Sequence, residues 1–407
     1  MNTQNRKPGY RVRFHRQLLS VMFLVLVPAL ANAATYYVAK TGSNSNSCAQ
    51  AASPGSAKLT VAAGLACLSG GDTLIVGDGT YNEQIFRQIP SGTAAARTTL
   101  KAANANKAIL KPSGTAEHSV IVIHDNDYIT IDGMVADAAD QPGSAFILTG
   151  TASNNIIKNG TARNAHTEWG FGIHTQDPTA SYNQVLNMDS YNNGVSGSNK
   201  EHGIYMASDG NIIDGNRVYD NEAYGIHIYS NKYSISDNIV RNNFVYNNRL
   251  RGVMIQGTGH SFYNNVVYGN AIGVNIDGAN LRVLNNTIYN NNNVCIWNQD
   301  GSGHKIQNNI CYGNASDSIQ DSSGGNAISN NLFTNPGFVN SGAADFQLLS
   351  SSAAIDRGMT IAETVSDLVG TSRPRAAAWD MGAYEYTGSA SAGGTPSQPA
   401  NLRLVSQ

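Results

Sequence analysis

Residues 252–271 read GVMIQGTGHSFYNNVVYGNA, and this stretch decides the fold. It holds three very short apolar segments, VMI, SFY and NVVY, which are separated by Gly, Asn, Thr and other polar residues. No segment is long enough for a helix, and none shows the paired alternation of a hairpin. Because one such unit cannot bury its apolar side chains alone, it must stack against similar units.

Similar units recur along the chain. Asn pairs begin at positions 242, 264, 285, 308 and 330, which are separated by steps of 22, 21, 23 and 22 residues. Short apolar segments run in phase with them: GIHT, GIYM, GIHI, GVMI, GVNI and VCIW. This repeat predicts an all-β solenoid, a single-stranded parallel β-helix in which each strand pairs with its equivalent in the next coil.

The same rhythm assigns side chains to the two faces of the strands. Ile204 and Met206 are expected to point inward and Tyr205 outward, because side chains alternate along a strand. The Asn pairs are interpreted as turn residues, since Asn tolerates the left-handed backbone region and stacked Asn side chains can bond from coil to coil. By this register Cys295 points outward and Cys311 inward, so we expect them to be unpaired.

The domain limits follow from composition. Residues 34–386 are interpreted as one β-helix domain with caps at both ends, and 387–407 as a flexible tail rich in Gly, Ser and Pro. Residues 58–68 form the one plausible helix, which would cover the open end of the stack. Cys48 and Cys67 could pair and would then staple this cap.

The first 33 residues predict export. Five basic residues precede an apolar run from Leu18 to Leu30, and Ala31-Asn32-Ala33 fits a cleavage site, so residues 1–33 are interpreted as a signal peptide. We expect a secreted or periplasmic monomer without a membrane anchor. Cleavage would leave 21 Lys and Arg against 28 Asp and Glu, which argues against nucleic acid as a partner.

Three segments carry a family resemblance. They are ATYYVAKTGSNSN (34–46), GGDTLIVGDGTYNE (70–83), and the closing stretch from AIDRG (354–358) to RPRAAAWDMGAYEY (373–386). Together with the repeat, they resemble secreted right-handed parallel β-helix proteins of the pectate-lyase-like superfamily. The resemblance implies a right-handed coil and an activity on polysaccharides. It also implies a Lys or Arg base and acidic residues that hold calcium, as in many lyases of this fold.

A ladder of outward side chains is the place where chemistry is expected, because the interior of the coil is packed. Titratable and aromatic residues concentrate in the coils between about 172 and 256, beside an insertion near 194–200. Breaking a uronic-acid chain by β-elimination requires a base, an acid for the leaving oxygen and a group that neutralises the carboxylate. The predicted catalytic residues are Lys200, His202, Tyr205, His227 and Arg251. The predicted substrate-binding residues are His174, Tyr224, Tyr229, Arg249 and Gln256.

Glu168, Glu201 and Glu222 precede the same strand in successive coils, and they are the predicted ligands for a calcium ion, the only cofactor expected. The leading hypothesis is a lyase for an acidic, uronic-acid-containing polysaccharide such as alginate. The alternatives are a mannuronan-type C5-epimerase, a glycoside hydrolase and a non-catalytic glycan-binding surface protein. No tight Asp cluster of the pectate-lyase kind is present in the sequence. Asp177, Asp209 and Asp277 are scattered, which ranks the hydrolase lower.

Overall fold

The apolar triplets of the repeat form short strands that stack coil upon coil into three parallel sheets. The computed structural model describes Met1 and residues 33–112, 119–139, 143–167, 169–230 and 234–388. The predicted signal peptide, except for Met1 and Ala33, lies outside the described residues, as do Glu168 and residues 389–407 of the predicted tail. The predicted fold class is confirmed: the chain is an all-β, right-handed parallel β-helix.

Each coil in the middle of the solenoid contributes one strand to each sheet. The 12 strands of sheet A are Thr35–Val38, Thr73–Val76, Thr98–Ala102, Ile129–Asp132, Ile156–Lys158, Gln184–Leu186, Ile212–Asp214, Ile239–Arg241, Ser261–Tyr263, Arg282–Leu284, Lys305–Gln307 and Ala327–Ser329. The 10 strands of sheet B are Ile85–Phe86, Ile121–His124, Phe146–Thr149, Ile173–Thr175, Ile204–Met206, Ile226–Ile228, Arg251–Thr258, Ile272–Ala279, Val294–Asp300 and Ser316–Asp321. The 10 strands of sheet C are Gly79–Tyr81, Ala108–Leu110, Met134–Asp137, Thr161–Arg163, Asp189–Tyr191, Arg217–Tyr219, Phe244–Tyr246, Val266–Tyr268, Thr287–Tyr289 and Ile310–Tyr312.

The core is a set of apolar columns that run along the coil axis. In sheet B, Ile204 pairs in register with Ile226, and Ile226 pairs with Val253. These residues and Met206 are fully buried in one continuous core, as the alternation predicts. Burying an aliphatic side chain of this size is worth about 1.5–3 kcal/mol, so a stack of such columns can offset the entropy of ordering many short strands.

Buried asparagine ladders hold the corners between the sheets. The second Asn of each pair donates from its side-chain amide to the next one: Asn243 to Asn265 at 2.9 Å and Asn265 to Asn286 at 3.0 Å. The first Asn of each pair has a positive φ, 56° at Asn242 and 55° at Asn264. The structural role predicted for the pairs is therefore confirmed. A further ladder at another corner contains Asn193, Asn221, Asn248, Asn270, Asn291 and Asn314.

The N-terminal end of the coil is covered by short helices. The predicted helix over 58–68 is shorter in the structure, Val61–Leu65, and a further turn of helix is Cys48–Ala51. The Glu83 carboxylate accepts hydrogen bonds from the backbone N–H groups of Val61 and Ala62. These bonds satisfy donors that have no partner within the helix. A disulfide joins Cys48 to Cys67 beside this cap. Three 3-10 turns are Pro54–Ser56, Ser341–Ala343 and Ala362–Thr364.

The C-terminal segment folds back along the coil after the hairpin of Phe338–Asn340 and Asp345–Leu348. Its apolar residues pack against the outer side of the coil: Tyr384 joins a cluster with Phe244 and Phe346. A fully buried ion pair between Arg373 and Glu385, 2.9 Å apart, anchors this segment. The segment therefore covers part of the coil away from sheet B.

The expectation that Cys295 and Cys311 are unpaired is wrong. A disulfide joins them inside the coil, and both residues are fully buried. The pairing of this strand is irregular between Val294 and Ile296, which turns Cys295 inward. Asn275 accordingly has Trp297 as its neighbour in the next coil.

Candidate functional site

Three predicted site residues form one vertical column on the outer face of sheet B. His174 pairs in register with Tyr205, and Tyr205 pairs with His227. The strands that carry them are only three residues long, and their inward neighbours are fixed in the core. The packing of the core thus holds the outward column rigidly in place.

Aromatic rings close around Tyr205, which lies at the centre of the column. Its ring centroid is 5.1 Å from that of His174, 5.3 Å from that of His227 and 5.4 Å from that of Tyr229. His202 and Phe171 stack on it at 5.7 and 4.8 Å. Tyr205 is half-buried, so its ring forms part of a surface that a ligand can reach. Phe171 belongs to this group although the sequence interpretation did not single it out.

A directional chain of hydrogen bonds runs through the column across successive coils. The backbone N–H of Tyr224 donates to Nδ1 of His202 at 3.2 Å, which leaves the ring proton of His202 on Nε2. That proton faces Nδ1 of His227 at 3.0 Å. His227 Nε2 in turn faces Oε1 of Gln256 at 3.2 Å, and the Gln256 amide donates to Oδ2 of Asp277 at 3.1 Å.

When both imidazoles are neutral, each hydrogen bond of this chain has one donated proton and one acceptor. Burial lowers the pKa of His227 to about 3 and holds the pKa of His202 well below its usual range, and the nearby His227 and Arg251 further oppose a positive charge on His202. Burial also lowers the pKa of His174 to about 3. The site therefore presents neutral imidazoles at pH 7. It has no imidazolium cation to attract an anionic substrate.

Arg251 supplies the positive charge instead. Its Nε donates to Oδ1 of Asn275 at 2.9 Å, and its Nη1 donates to the Tyr224 hydroxyl. The guanidinium also lies over the Tyr224 ring, 4.8 Å from the centroid. Among the described residues no carboxylate forms an ion pair with Arg251. Its charge is therefore held in place by neutral groups and stays available to a ligand.

The structure brings eight of the predicted catalytic and substrate-binding residues together and leaves Arg249 and Lys200 outside that group. The group, which we call the aromatic site, contains His174, His202, Tyr205, Tyr224, His227, Tyr229, Arg251 and Gln256. Arg249 lies outside it, because its guanidinium pairs with Glu222 at 2.5 Å and binds the 198–199 loop. Lys200 is also outside the aromatic site, on the exposed insertion, with its ammonium 5.1 Å from the centroid of Trp169.

The two described glutamates of the predicted calcium set differ sharply in environment. Glu201 is fully buried, and its Oε1 accepts the backbone N–H of Trp169 at 3.0 Å. Glu222 is partly exposed and is engaged by Arg249 and by the backbone of Gly197. Among the described ranges no three His, Cys, Asp or Glu side chains are grouped to hold a metal ion. Glu168 is not described, so calcium binding stays a prediction.

An open cleft of about 300 Å³ adjoins the downstream end of the hydrogen-bond chain. It is lined by Gln256 and Asp277, by Ser230 and Ser234, and by backbone that includes Gly257 and Gly278. Asp277 thus connects this cleft to the buried imidazoles. Asp277 lies in register with Gln256 on the next strand, and nothing in the sequence indicated the hydrogen bond between the two side chains.

Comparisons with known proteins agree with the fold. A sequence profile of the family described as periplasmic copper-binding protein (NosD) matches residues 179–345. A pectate lyase, Pel9A, superposes with a TM-score of 0.66 at 20% identity, over 87% of this chain and 96% of that chain. A rhamnogalacturonan lyase superposes with a TM-score of 0.54 at 17% identity, over 75% of this chain and 90% of that one. No match was found among curated protein sequences.

The copper named in the family description does not fit the described residues. The ring nitrogens of His202 and His227 are bonded to each other, to a backbone N–H and to Gln256, so none is directed at a shared metal position. Among the described residues no helix is both long and apolar enough to cross a bilayer.

Proposed function

We propose that this chain, which has the right-handed parallel β-helix fold of the pectate-lyase-like superfamily, cleaves an acidic polysaccharide by β-elimination. The observation that carries the proposal is Arg251: a guanidinium held by Tyr224 and Asn275, with no carboxylate partner among the described residues, beside the half-buried Tyr205 column. Two structural neighbours, a pectate lyase and a rhamnogalacturonan lyase, support the same substrate class. We also propose that the protein is exported, in keeping with the periplasmic family description.

The proposed roles follow from exposure and charge. Arg251 would bind the uronate carboxylate, because a fixed cation withdraws charge from the adjacent carbon and makes its proton more acidic. Tyr205 would carry the proton, because it is a partly exposed tyrosine at the centre of the site. As an anion it would take the C5 proton while the C4–O bond breaks and a C4=C5 double bond forms. The same hydroxyl would then protonate the departing oxygen.

His202 and His227 would act through Tyr205. They are only 3% and 7% exposed, so they have little surface for a substrate, and their rings contact Tyr205 from two sides. Fixed neutral imidazoles would hold the Tyr205 ring and exclude water without competing with Arg251 for the carboxylate. Lys200 was predicted to be catalytic and Arg249 to bind substrate. Both are exposed, and we place them at the margin of the site.

The test is a panel of uronans, including alginate and polygalacturonate, incubated with the purified protein. Elimination creates an unsaturated sugar that absorbs near-ultraviolet light, so we expect absorbance to rise on at least one polymer. Epimerisation would change sugar composition without cutting the chain, and hydrolysis would give reducing ends without absorbance. A folded protein that gives no absorbance on any polymer would refute the lyase proposal. The same assay with a chelator tests whether calcium is required.

A further inference from the structure

Trp169 is an exposed indole held in an unusual backbone conformation beside the aromatic site. Its side chain is 59% exposed, and its φ is 65°. A bulky residue in the left-handed region is uncommon and persists only where its surroundings hold it there. Phe171, two residues further on, packs against both His174 and Tyr205. Trp169 therefore sits at the upstream margin of the aromatic site.

A buried carboxylate holds this conformation. Glu201 is fully buried, and its Oε1 accepts the Trp169 N–H at 3.0 Å. Its Oε2 has no hydrogen-bond partner among the described residues. Burying a carboxylate with one oxygen unsatisfied is costly. A buried Glu is unfavourable for stability at this position. The hydrogen bond from the Trp169 N–H to Glu201 therefore points to a functional role for the indole that it holds in place.

Lys200 places a positive charge next to the Trp169 indole. The ammonium of Lys200 is 5.1 Å from the Trp169 ring centroid, and in the described part of the chain it forms no ion pair with a carboxylate. An apolar ring face beside a free ammonium matches a pyranose that carries a carboxylate: the sugar's C–H face can lie on the indole and its carboxylate can meet the lysine.

We infer that Trp169 and Lys200 form a binding subsite for one uronosyl residue of the polymer, and that Glu201 is its positioning residue. The subsite lies on the N-terminal side of Tyr205 along the coil axis. It would be filled only by polysaccharide chains that extend beyond the reacting sugars. This inference rests on the proposed function, which it deepens by naming a contact that selects longer, charged chains. A chain anchored at Trp169 would be directed along the column toward Arg251.

The test measures binding separately from turnover. Oligosaccharides of alginate and of polygalacturonate are titrated into the full-length protein, and tryptophan emission and calorimetric affinity are recorded. Trp169→Ala should weaken binding of the long oligosaccharide about tenfold, raise KM and leave kcat at saturation nearly unchanged. Lys200→Gln should weaken binding of charged oligosaccharides without changing that of a neutral cello-oligosaccharide. Tyr182→Ala is the matched control, since Tyr182 is 61% exposed and also has a positive φ, of 59°.

The positioning role of Glu201 is read from paired variants. Glu201→Ala should lower affinity as Trp169→Ala does, whereas Glu201→Gln, which keeps an acceptor oxygen, should restore it. If Trp169→Ala binds and cleaves like the parent protein, the subsite is refuted and the lyase proposal stands. If the parent binds through Trp169 but releases no unsaturated product, the subsite stands and the lyase proposal fails. If the parent binds neither oligosaccharide, both are overturned.

Discussion

His202 Nε2 lies 3.0 Å from His227 Nδ1, and the outer nitrogen of each ring is bonded as well, to Tyr224 N–H and to Gln256. The two imidazoles are thus locked as neutral tautomers whose protons all point toward Asp277. This arrangement fixes the rings around Tyr205 and leaves Arg251 as the cation among the eight residues of the aromatic site.

Replacing Gln256 should disturb Tyr205 indirectly. Gln256→Leu leaves the His227 Nε2 proton without its acceptor, and an unsatisfied buried donor costs about 1–3 kcal/mol. We expect kcat to fall about tenfold or more with little change in KM, measured by steady-state kinetics on the uronan that the panel identifies. Gln307→Leu is the control, because Gln307 donates to Ser329 on sheet A. An unchanged kcat in folded Gln256→Leu would remove the hydrogen-bond chain from the account.

Arg251 and Arg249 provide a matched pair of cations. Arg251→Ala should lower kcat/KM about 100-fold, because losing a charge-assisted contact in a partly buried site costs about 2–5 kcal/mol. Arg249→Ala should change it by less than about threefold, since the Arg249 charge is already paired with Glu222. Both are compared on charged polymer at low and high salt. Equal losses in the two variants would show that the effect is general electrostatic attraction.

Acid should destabilise the protein through its buried imidazoles. An unfolded His has a pKa of about 6.5, whereas burial lowers the pKa of His174 and His227 to about 3 in the folded chain. Below about pH 6.5 the unfolded chain takes up protons that the folded chain cannot, so stability is fully present above that pH and falls toward pH 3. Urea unfolding at pH 7 and pH 5 should show this loss, and His227→Gln should reduce it. The exposed His166→Gln should leave the loss as it is in the parent protein.

The asparagine ladder should be a major source of stability. Asn265→Ala removes a fully buried amide that bonds Asn286, Val240 and Tyr263 and accepts from Asn243. We expect a loss of about 2–3 kcal/mol in the free energy of unfolding, since several buried groups lose their partners together. Asn292→Ala, at an exposed position next to Asn291 of the other ladder, should cost less than about 0.5 kcal/mol. Comparable losses in both would mean that the ladder contributes little.

The repeat predicted the fold and the outward column because both depend only on residue spacing. Ile204, Tyr205 and Met206 alternate as they must, and a period near 22 places Tyr205 beside His227. The spacing could not predict that His227 and Gln256 are buried, since their cover comes from large side chains in adjacent coils. It also failed at Cys295, where a local irregularity in strand pairing reverses the direction of the side chain.

The sequence also could not show which of the predicted glutamates is buried. Glu201 and Glu222 lie three and four residues before their strands, so they are not equivalent in the register that pairs Ile204 with Ile226. Glu201 is fully buried and accepts the Trp169 N–H, whereas Glu222 pairs with Arg249 at the surface. The insertion near 194–200 leads directly into Glu201, and the repeat does not describe its course. Residue type and spacing cannot distinguish such environments when the covering loop is irregular.

The most direct test of the account compares unsaturated-product formation by the parent protein and by Tyr205→Phe on the same uronan. Phenylalanine preserves the ring contacts with His202 and His227 and removes only the hydroxyl. The account predicts a loss of at least about 100-fold in kcat with oligosaccharide affinity retained, as expected for a group that transfers the proton. Product formation at the parent rate by Tyr205→Phe would contradict it.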